Sequence, residues 1–310
     1  MSDLLKSSAS TDFLVRAVHR EVALRVVVAV TSDLSRVAAI RHKVSAPVAC
    51  ALSRGLTAGL LLATLSKTEE RVTLQLQCDG PLRGLTIDAY DDGAVRGYPG
   101  EARPELASPI ATAQRQRLAP LVGYGLLSVV RDIGAQDRYQ GQCHIANGEL
   151  DEDVEHYLRV SEQIPSALGC EVLMDEGGHV VAAAGALVQV LPGGEVERVE
   201  AAQAVLRAGG LYQLLVETRG AGLEVQQVCQ ALLPGLELEY LDTRPLRFQC
   251  RCSRERIESM LLGLSVTDLD EMVTEGQSQI TCNYCNEVYT IGVDTLMRLR
   301  DSKGQSKNPN

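Results

Sequence analysis

Alternating apolar and polar positions mark several strands in the first two thirds of the chain. The stretch FLVRAVHREVALRVVVAV contains two valine-rich runs that are typical of strands. Farther on, Val72, Leu74 and Leu76 alternate with polar residues, and the sequence DGP then supplies a turn. Leu85 and Ile87 resume the alternation, so we predict a β-hairpin in this segment.

Two longer segments have the composition of helices. SAPVACALSRGLTAGLLLATLSK is almost wholly apolar, with Ser45 as a suitable N-cap and Pro47 in the first turn, where a missing N–H costs little. We expect a buried helix. In NGELDEDVEHYLRVSEQI, the acidic residues from Glu149 to Glu155 lie where a helix N-terminus favours negative charge. Since strands and helices are mixed as far as HVVAAAGALVQVLPGG, we predict that residues 1–193 form one α/β core domain.

Residues 194–245 follow a different pattern, in which short helical segments are cut by glycines. The best apolar face steps at i, i+3, i+4 and i+7. It consists of Val225, Val228, Cys229 and Leu232. Helices of this length are marginal alone and need a packing partner. We therefore predict a metastable helical linker that leans on its neighbours.

The C-terminal part predicts a small domain at residues 246–300, followed by a polar, disordered tail at residues 301–310. Two short amphipathic helices precede ITCNYCNEVYTI, which we interpret as a knuckle between two strands. The predicted fold class is therefore α+β. It combines a mixed α/β core domain, a helical linker and a small C-terminal zinc domain with four cysteine ligands.

Composition and charge narrow the function classes. The 310 residues carry a net charge of −10, which does not favour extensive nucleic-acid binding. The polar start shows no secretory signal, and the apolar run from Val48 to Leu65 is interrupted by Arg54 and is too short to span a bilayer. We therefore expect a cytoplasmic protein without a membrane partner, whose nine cysteines do not form a structural disulfide framework.

Four of the cysteines stand in two tight pairs near the C-terminus. Cys250 and Cys252 form a C-x-C pair, and Cys282 and Cys285 form a C-x-x-C pair. Four thiolates make a closed tetrahedral zinc site. The segment is also too poor in apolar residues for a core of its own, and metal binding offsets that deficit. We predict one Zn²⁺ per chain in the reduced form, with these four sulfurs as its ligands.

The surroundings of the first pair suggest redox chemistry. Positive charge lowers the pKa of a thiol and favours the thiolate that oxidants attack. Five arginines crowd this pair: Arg244, Arg247, Arg251, Arg254 and Arg256. Within each pair, a sulfenic acid would have a resolving thiol beside it, so the site can hold zinc when reduced and form two local disulfides when oxidised. A constitutive zinc knuckle explains the spacing equally well.

Motifs along nearly the whole chain resemble those of one known family. The cysteine segment reads CRCSRER…CNYCNEVY, and the earlier motifs are, in order, GLTAGLLLATL, RVTLQLQCDGPLRGLTIDA, VRGY, YQGQ, DEDVEHYLRVSEQIPSALG and AAAGALVQVLP. Together they resemble the redox-regulated 33 kDa chaperonins, the heat shock protein 33 family, with the cysteine segment similar to the zinc centre of that family. Cys78 stands where a small residue such as Gly is expected, and GYPG replaces a more extended stretch. Neither departure touches the cysteine pairs.

The resemblance implies a redox-regulated molecular chaperone, an ATP-independent holdase with no catalytic residue. It implies that the reduced, zinc-bound form is inactive. Oxidative stress would form the disulfides Cys250–Cys252 and Cys282–Cys285, release zinc, and unfold the zinc domain and the linker. The oxidised form would be a homodimer that protects unfolded or partly unfolded client proteins from aggregation, with no nucleic acid as partner.

Two other function classes fit parts of the sequence. A disulfide oxidoreductase would use Cys282 and Cys285, but the thioredoxin-like βαβ pattern is missing from the sequence. A constitutive zinc-knuckle module would bind protein or nucleic acid whether or not oxidant is present. The sequence does not fix the client surface; the candidates are the core surface beneath the linker and the linker's own apolar residues Val225, Val228, Leu232 and Leu233. Five scattered cysteines are interpreted as inert small hydrophobic residues: Cys50, Cys78, Cys143, Cys170 and Cys229.

Overall fold

The computed structural model describes residues 12–65, 71–106, 114–132, 138–218, 222–276 and 278–305. The chain divides into two compact units, Met1–Gln249 and Cys250–Asn310. Strands of the first unit are β1 Phe13–His19, β2 Leu24–Val30, β3 Arg71–Cys78, β4 Leu85–Tyr90, β5 Ala94–Pro99, β6 Gly125–Asp132, β7 Arg138–His144, β8 Ser166–Met174, β9 Val180–Val190, β10 Glu239–Pro245 and β11 Arg247–Phe248. Its helices are α1 Ser32–His42, α2 Ala46–Ala63, α3 Ala119–Val122, α4 Leu150–Val160, α5 Val196–Arg207, α6 Gly210–Glu217 and α7 Val225–Leu232.

The strands of the first unit form two sheets. One is antiparallel throughout, with the order β10-β1-β2-β9-β8. The other has the order β11-β5-β4-β3-β6-β7 and is antiparallel except for the β11–β5 pair. The predicted hairpin is confirmed, because β3 and β4 pair with Leu74 opposite Ile87. The α+β fold class is confirmed as well.

Helix α2 is the predicted buried helix, and it packs against strands of both sheets. Ser45 is its N-cap and Pro47 lies in its first turn, as expected. Glycines bring the helix close to the second sheet: a Cβ at Gly55 would lie 2.5 Å from Leu85 Cδ2. Although α2 is long and apolar enough to cross a membrane, 94% of it is buried inside the protein. The helix is thus the centre of the core.

Strand β2 is apolar on both faces, because each face of the first sheet is covered. Val27 and Ala29 belong to the core that surrounds α2. Val26 and Val28, which point to the opposite face, belong to a second core. That second core is completed by residues of α5, α6 and α7, so the linker helices cover the outer face of the sheet.

The acidic run at the start of α4 is confirmed as a helix start, but its charges are buried. Glu149, Asp151, Asp153 and Glu155 are all buried. Arg54, at 3% exposure in the middle of α2, pairs with Glu149 at 3.1 Å and also with Asp151. The run therefore supplies counter-charges for a buried arginine, since an unpaired charge in the core would be strongly unfavourable.

The predicted apolar face of the linker is confirmed. In α7, the buried residues are Val225, Val228, Cys229 and Leu232. The prediction that residues 194–245 are helical is wrong for the last part, because Glu239–Pro245 is the edge strand β10, antiparallel to β1. Bidentate contacts between Arg16 and Asp242, both at 2.7 Å, hold the two strands together.

The predicted boundaries at the C-terminal end also differ from the structure. Residues 246–249, expected in the zinc domain, lie in the first unit, where Arg247–Phe248 pairs with β5. The second unit contains β12 Ser278–Thr281, β13 Val288–Ile291, α8 Arg254–Leu261, α9 Val266–Glu275 and α10 Val293–Gln305. Helix α10 extends into the predicted disordered tail because Leu296 and Leu299 bury its inner face. Residues 306–310 lie outside the described part of the chain.

Candidate metal centre

The second unit is built around a small apolar core, so the expectation that this segment has too few apolar residues for a core of its own is wrong. Strands β12 and β13 form a two-stranded antiparallel sheet, and α9 packs against α10. Six apolar side chains are buried there: Ile257, Leu261, Leu269, Ile291, Leu296 and Leu299. The prediction of two short helices and a knuckle between strands is confirmed. On α8, Ile257 and Leu261 are buried and Met260 is 70% exposed.

Each cysteine pair is presented by a short loop next to a regular element. Cys250 and Cys252 lie in the segment before α8, whose N-terminus is capped by the Ser253 hydroxyl. Cys282 and Cys285 lie in the turn that joins β12 to β13. The Asn286 N–H donates to the Cys282 carbonyl at 2.8 Å and closes this turn. Backbone hydrogen bonds fix the second loop, and the first loop is fixed by the Ser253 cap and by the Arg256 side chain, which donates to the Arg251 carbonyl at 2.6 Å.

The structure brings all four predicted ligands together. The Cys250 and Cys282 sulfurs are 3.7 Å apart, and the Cys252 and Cys285 sulfurs are 3.4 Å apart. All four Sγ atoms lie within 4.8 Å of one another. A tetrahedral zinc ion with Zn–S bonds of about 2.3 Å requires sulfurs about 3.8 Å apart. The cluster therefore has the chemistry and the spacing of a tetrathiolate metal site.

Burial sets the direction of the pKa shifts in the second cysteine pair. Burial raises the pKa of the Cys282 thiol and also that of the Cys285 thiol. Of the arginines expected to favour thiolate, Arg244 and Arg247 belong to the first unit. Arg254 pairs with Glu258 at 3.0 Å. The expected lowering concerns Cys250 and Cys252, and it stays a prediction. For Cys282 and Cys285, metal binding is the available route to the thiolate, because a coordinated thiol loses its proton.

One residue of the site was missed by sequence reasoning. The Tyr289 hydroxyl donates a hydrogen bond to Cys252 Sγ at 3.1 Å. Tyr289 lies in β13 opposite Ile280 of β12, and its ring packs against the small apolar core. The signal in the sequence is a tyrosine four residues after Cys285, but only the strand register shows that it turns toward the first cysteine pair.

The remaining cysteines are spread over the first unit. Cys50 and Cys170 are buried, and burial raises the pKa of Cys50 to about 12. Cys78 and Cys143 are half-buried. Cys229 is buried in α7, and burial raises the pKa of its thiol to about 11. Raised pKa values keep these thiols protonated and unreactive, in line with the prediction that they are inert.

Comparison with known proteins decides the family. The family model described as Hsp33 protein matches residues 12–292. The chain belongs to the Hsp33 family. The resemblance seen in the sequence is thereby confirmed, and the chaperone function of the family is the function class of this chain.

Relatives and a solved structure share nearly the whole Hsp33 chain. A 33 kDa chaperonin of Symbiobacterium thermophilum is 37% identical over 93% of this chain and 97% of its own. A 33 kDa chaperonin of Agathobacter rectalis is 32% identical over 94% of this chain and 100% of its own. The crystal structure of a 33 kDa chaperonin from Thermotoga maritima, a heat shock protein 33 homologue, has a TM-score of 0.84 and 27% identity. It covers 96% of this chain and 100% of its own.

Proposed function

We propose that this protein is a redox-regulated, ATP-independent holdase of the cytoplasm, inactive when reduced and zinc-bound. Its clients are unfolded or partly unfolded proteins, and it acts as a binding protein without a catalytic residue. The active, oxidised form is a homodimer, with neither nucleic acid nor membrane as partner. Family membership supports the chaperone class, and the four-thiol cluster supports the switch.

The proposed ligands Cys250, Cys252, Cys282 and Cys285 would hold the ion as thiolates, and zinc would supply the folding energy of the second unit. Oxidation of each pair removes two electrons. One thiolate attacks an oxygen of hydrogen peroxide, the O–O bond breaks, hydroxide leaves, and a sulfenic acid forms. The second sulfur of the pair attacks the sulfenic sulfur, an S–S bond forms and a second hydroxide leaves. The disulfides are Cys250–Cys252 and Cys282–Cys285, and neither product is a thiolate ligand.

The observation that carries the proposal is the apolar sheet face beneath the linker. The outer face of β2 and β9 consists of buried small and branched residues, among them Val26, Val28, Ala184 and Val188. The helices α5, α6 and α7, with Leu223 and Leu233 on either side of α7, cover this face and complete the core. If the linker leaves, a contiguous apolar surface becomes exposed, and such surfaces bind other unfolded apolar chains. We propose this sheet face, with the linker's own apolar residues, as the client-binding surface.

Polar contacts at the end of α5 help to hold the linker in place. The Glu155 carboxylate accepts a hydrogen bond from Arg207 at 3.0 Å and another from Gln203. Arg115, which pairs with Glu171, donates to the Arg207 carbonyl at 3.0 Å. Arg115 thus satisfies a carbonyl that the helix leaves unpaired at its C-terminus. The covering helices are nevertheless short, so their docking is the weak point that the switch uses.

The test measures aggregation of a thermally unfolding client by light scattering, with reduced zinc-loaded protein and with protein treated with peroxide at raised temperature. A chromophoric chelator reads the released zinc. We expect only the oxidised, zinc-depleted protein to suppress aggregation. The matched control Cys143→Ser, in which a thiol outside the two pairs is changed, should behave like the unmodified protein.

Two results would replace this proposal with another class. If zinc stays bound after peroxide treatment and both preparations suppress aggregation equally, the cysteines form a constitutive zinc knuckle. Turnover of a dithiol substrate would show an oxidoreductase. The position of Cys282 and Cys285 in a turn between two antiparallel strands speaks against that class, because redox C-x-x-C motifs accompany a βαβ pattern.

A further inference from the structure

The hydroxyl of Tyr289, a residue outside the four cysteines, donates a side-chain hydrogen bond to a sulfur of the cluster. It lies 3.1 Å from Cys252 Sγ. The contact joins β13 to the segment that carries the first cysteine pair, whereas β12 and β13 pair with each other through their backbones. Its position suggests a role in the chemistry of the sulfur.

The ring of Tyr289 is held in a defined place. Its backbone is fixed opposite Ile280 in the two-stranded sheet. Its ring packs against the core formed by residues such as Leu269 and Ile291. A side chain anchored at both backbone and ring loses little freedom when its hydroxyl makes one more hydrogen bond. The donor is therefore pre-positioned for Cys252.

A hydrogen bond donated to a thiolate withdraws electron density from the sulfur. Outer hydrogen bonds of this kind tune metal ligands and commonly change metal affinity by about 10-fold or more. They also weaken the sulfur as a nucleophile. When the Cys250–Cys252 disulfide forms, the Cys252 sulfur reacts as a nucleophile through a lone pair of electrons. It attacks either peroxide or the sulfenic sulfur of Cys250. Either step is slowed by the donor.

We propose that Tyr289 sets the oxidation threshold of the cysteine cluster by donating a hydrogen bond to Cys252. The hydrogen bond strengthens retention of the metal and slows the nucleophilic step at Cys252, so that low oxidant levels leave the switch closed. This inference rests on the proposed function. Tyr289 acts through Cys252 and is thus a positioning and tuning residue.

The test is Tyr289→Phe, which removes the hydroxyl and keeps the ring. The matched control is Tyr124→Phe, since Tyr124 is 82% exposed and lies in the first unit. Peroxide-driven zinc release, followed with a chromophoric chelator, should become about three- to tenfold faster in Tyr289→Phe and stay unchanged in the control. Competition with a chelator should show a loss of zinc affinity of about tenfold.

Cobalt substitution gives a readout that does not depend on chaperone activity. The sulfur-to-cobalt charge-transfer band should move to longer wavelength in Tyr289→Phe, because a sulfur without the donor gives up electrons more easily. An unmoved band, or an unchanged rate of zinc release, overturns the proposal. If the unmodified protein itself releases no zinc with peroxide, the proposed function fails, while the cobalt spectra and zinc affinities still decide the role of Tyr289.

Discussion

Leu232 offers a direct way to loosen the linker without touching a cysteine. It is 2% exposed on α7 and belongs to the core between the linker helices and the first sheet. Replacing a buried leucine by alanine costs about 2–5 kcal/mol, from lost burial plus the cavity that remains. Helix α7 spans only Val225–Leu232 and has little stability of its own. We therefore expect most of the cost of Leu232→Ala to fall on docking of the linker.

The free energy lost in Leu232→Ala sets the fraction of molecules in which the linker is undocked. Since about 1.4 kcal/mol corresponds to a factor of ten, a loss of about 2–5 kcal/mol raises the undocked fraction by roughly 30- to 5,000-fold. Hydrogen exchange of the α7 amides in the reduced, zinc-loaded protein should accelerate by the same factor. The same preparation should suppress client aggregation in part without any oxidant, because the apolar sheet face is transiently uncovered.

The matched control is Leu158→Ala. Leu158 is 0% exposed on α4 and belongs to the other core, around α2. The cost of Leu158→Ala, about 2–5 kcal/mol, should fall on global stability and lower the unfolding temperature, while α7 exchange and the holdase activity of reduced protein stay low. Our reasoning would be refuted if Leu232→Ala lowered global stability as Leu158→Ala does, without selective exchange in α7.

Three further predictions concern the metal, the buried charges and pH. Cys285→Ser removes a proposed ligand that is 3% exposed. Zinc content should fall, and the far-ultraviolet circular dichroism signal should weaken as α8–α10 lose structure. Unchanged zinc content would exclude Cys285 as a ligand. Arg54→Met leaves the buried Asp151 without its arginine and leaves Glu149 with Arg117 alone, so urea unfolding should show a loss of about 3–5 kcal/mol. A loss below about 1 kcal/mol, on the scale of exposed ion pairs, would contradict burial of these charges. Burial raises the pKa of Asp12 from 3.8 to about 6, so the folded form binds more protons between these values and its stability should fall as pH rises from about 4 to about 6. Relative to Asp12→Asn, which does not titrate, the loss should be about 2–3 kcal/mol in urea unfolding, and equal pH dependence of both proteins would exclude the shift.

The parts of the fold that the sequence predicts are those whose signal lies in consecutive residues. The alternation around Leu74 and the continuous apolar run of α2 each describe one element and the surface that it buries. The same holds for the cysteine cluster, because two tight pairs in one small segment leave few arrangements other than a shared metal. Local spacing was sufficient to name all four residues.

Features whose partners lie far apart along the chain were missed. Glu149 is buried because Arg54 lies beside it in space, although nearly a hundred residues separate them in the sequence. An acidic run read alone favours a solvated helix start. The Tyr289 contact was missed for the same reason, because Cys252 precedes it by a helix pair and a strand. Ion pairs and hydrogen bonds between residues so far apart in the sequence leave no pattern in neighbouring residues.

Strand β10 shows how the linker is attached to the first sheet at a place that the sequence did not predict. Its side chains are mostly exposed, so no apolar period marks it as a strand, and it is fixed by its backbone pairing with β1 and by arginine–carboxylate pairs. The linker is therefore attached in two physically different ways. The helices depend on buried apolar contacts that a truncation such as Leu232→Ala weakens, whereas β10 depends on hydrogen bonds and on ion pairs such as Arg20–Glu239, which salt screens. Truncation of Leu232 weakens only the apolar contacts of the helices. We therefore expect Leu232→Ala to release α7 while β10 stays paired with β1. Slow hydrogen exchange of the β10 amides in that variant, beside fast exchange in α7, would show that the two attachments are independent.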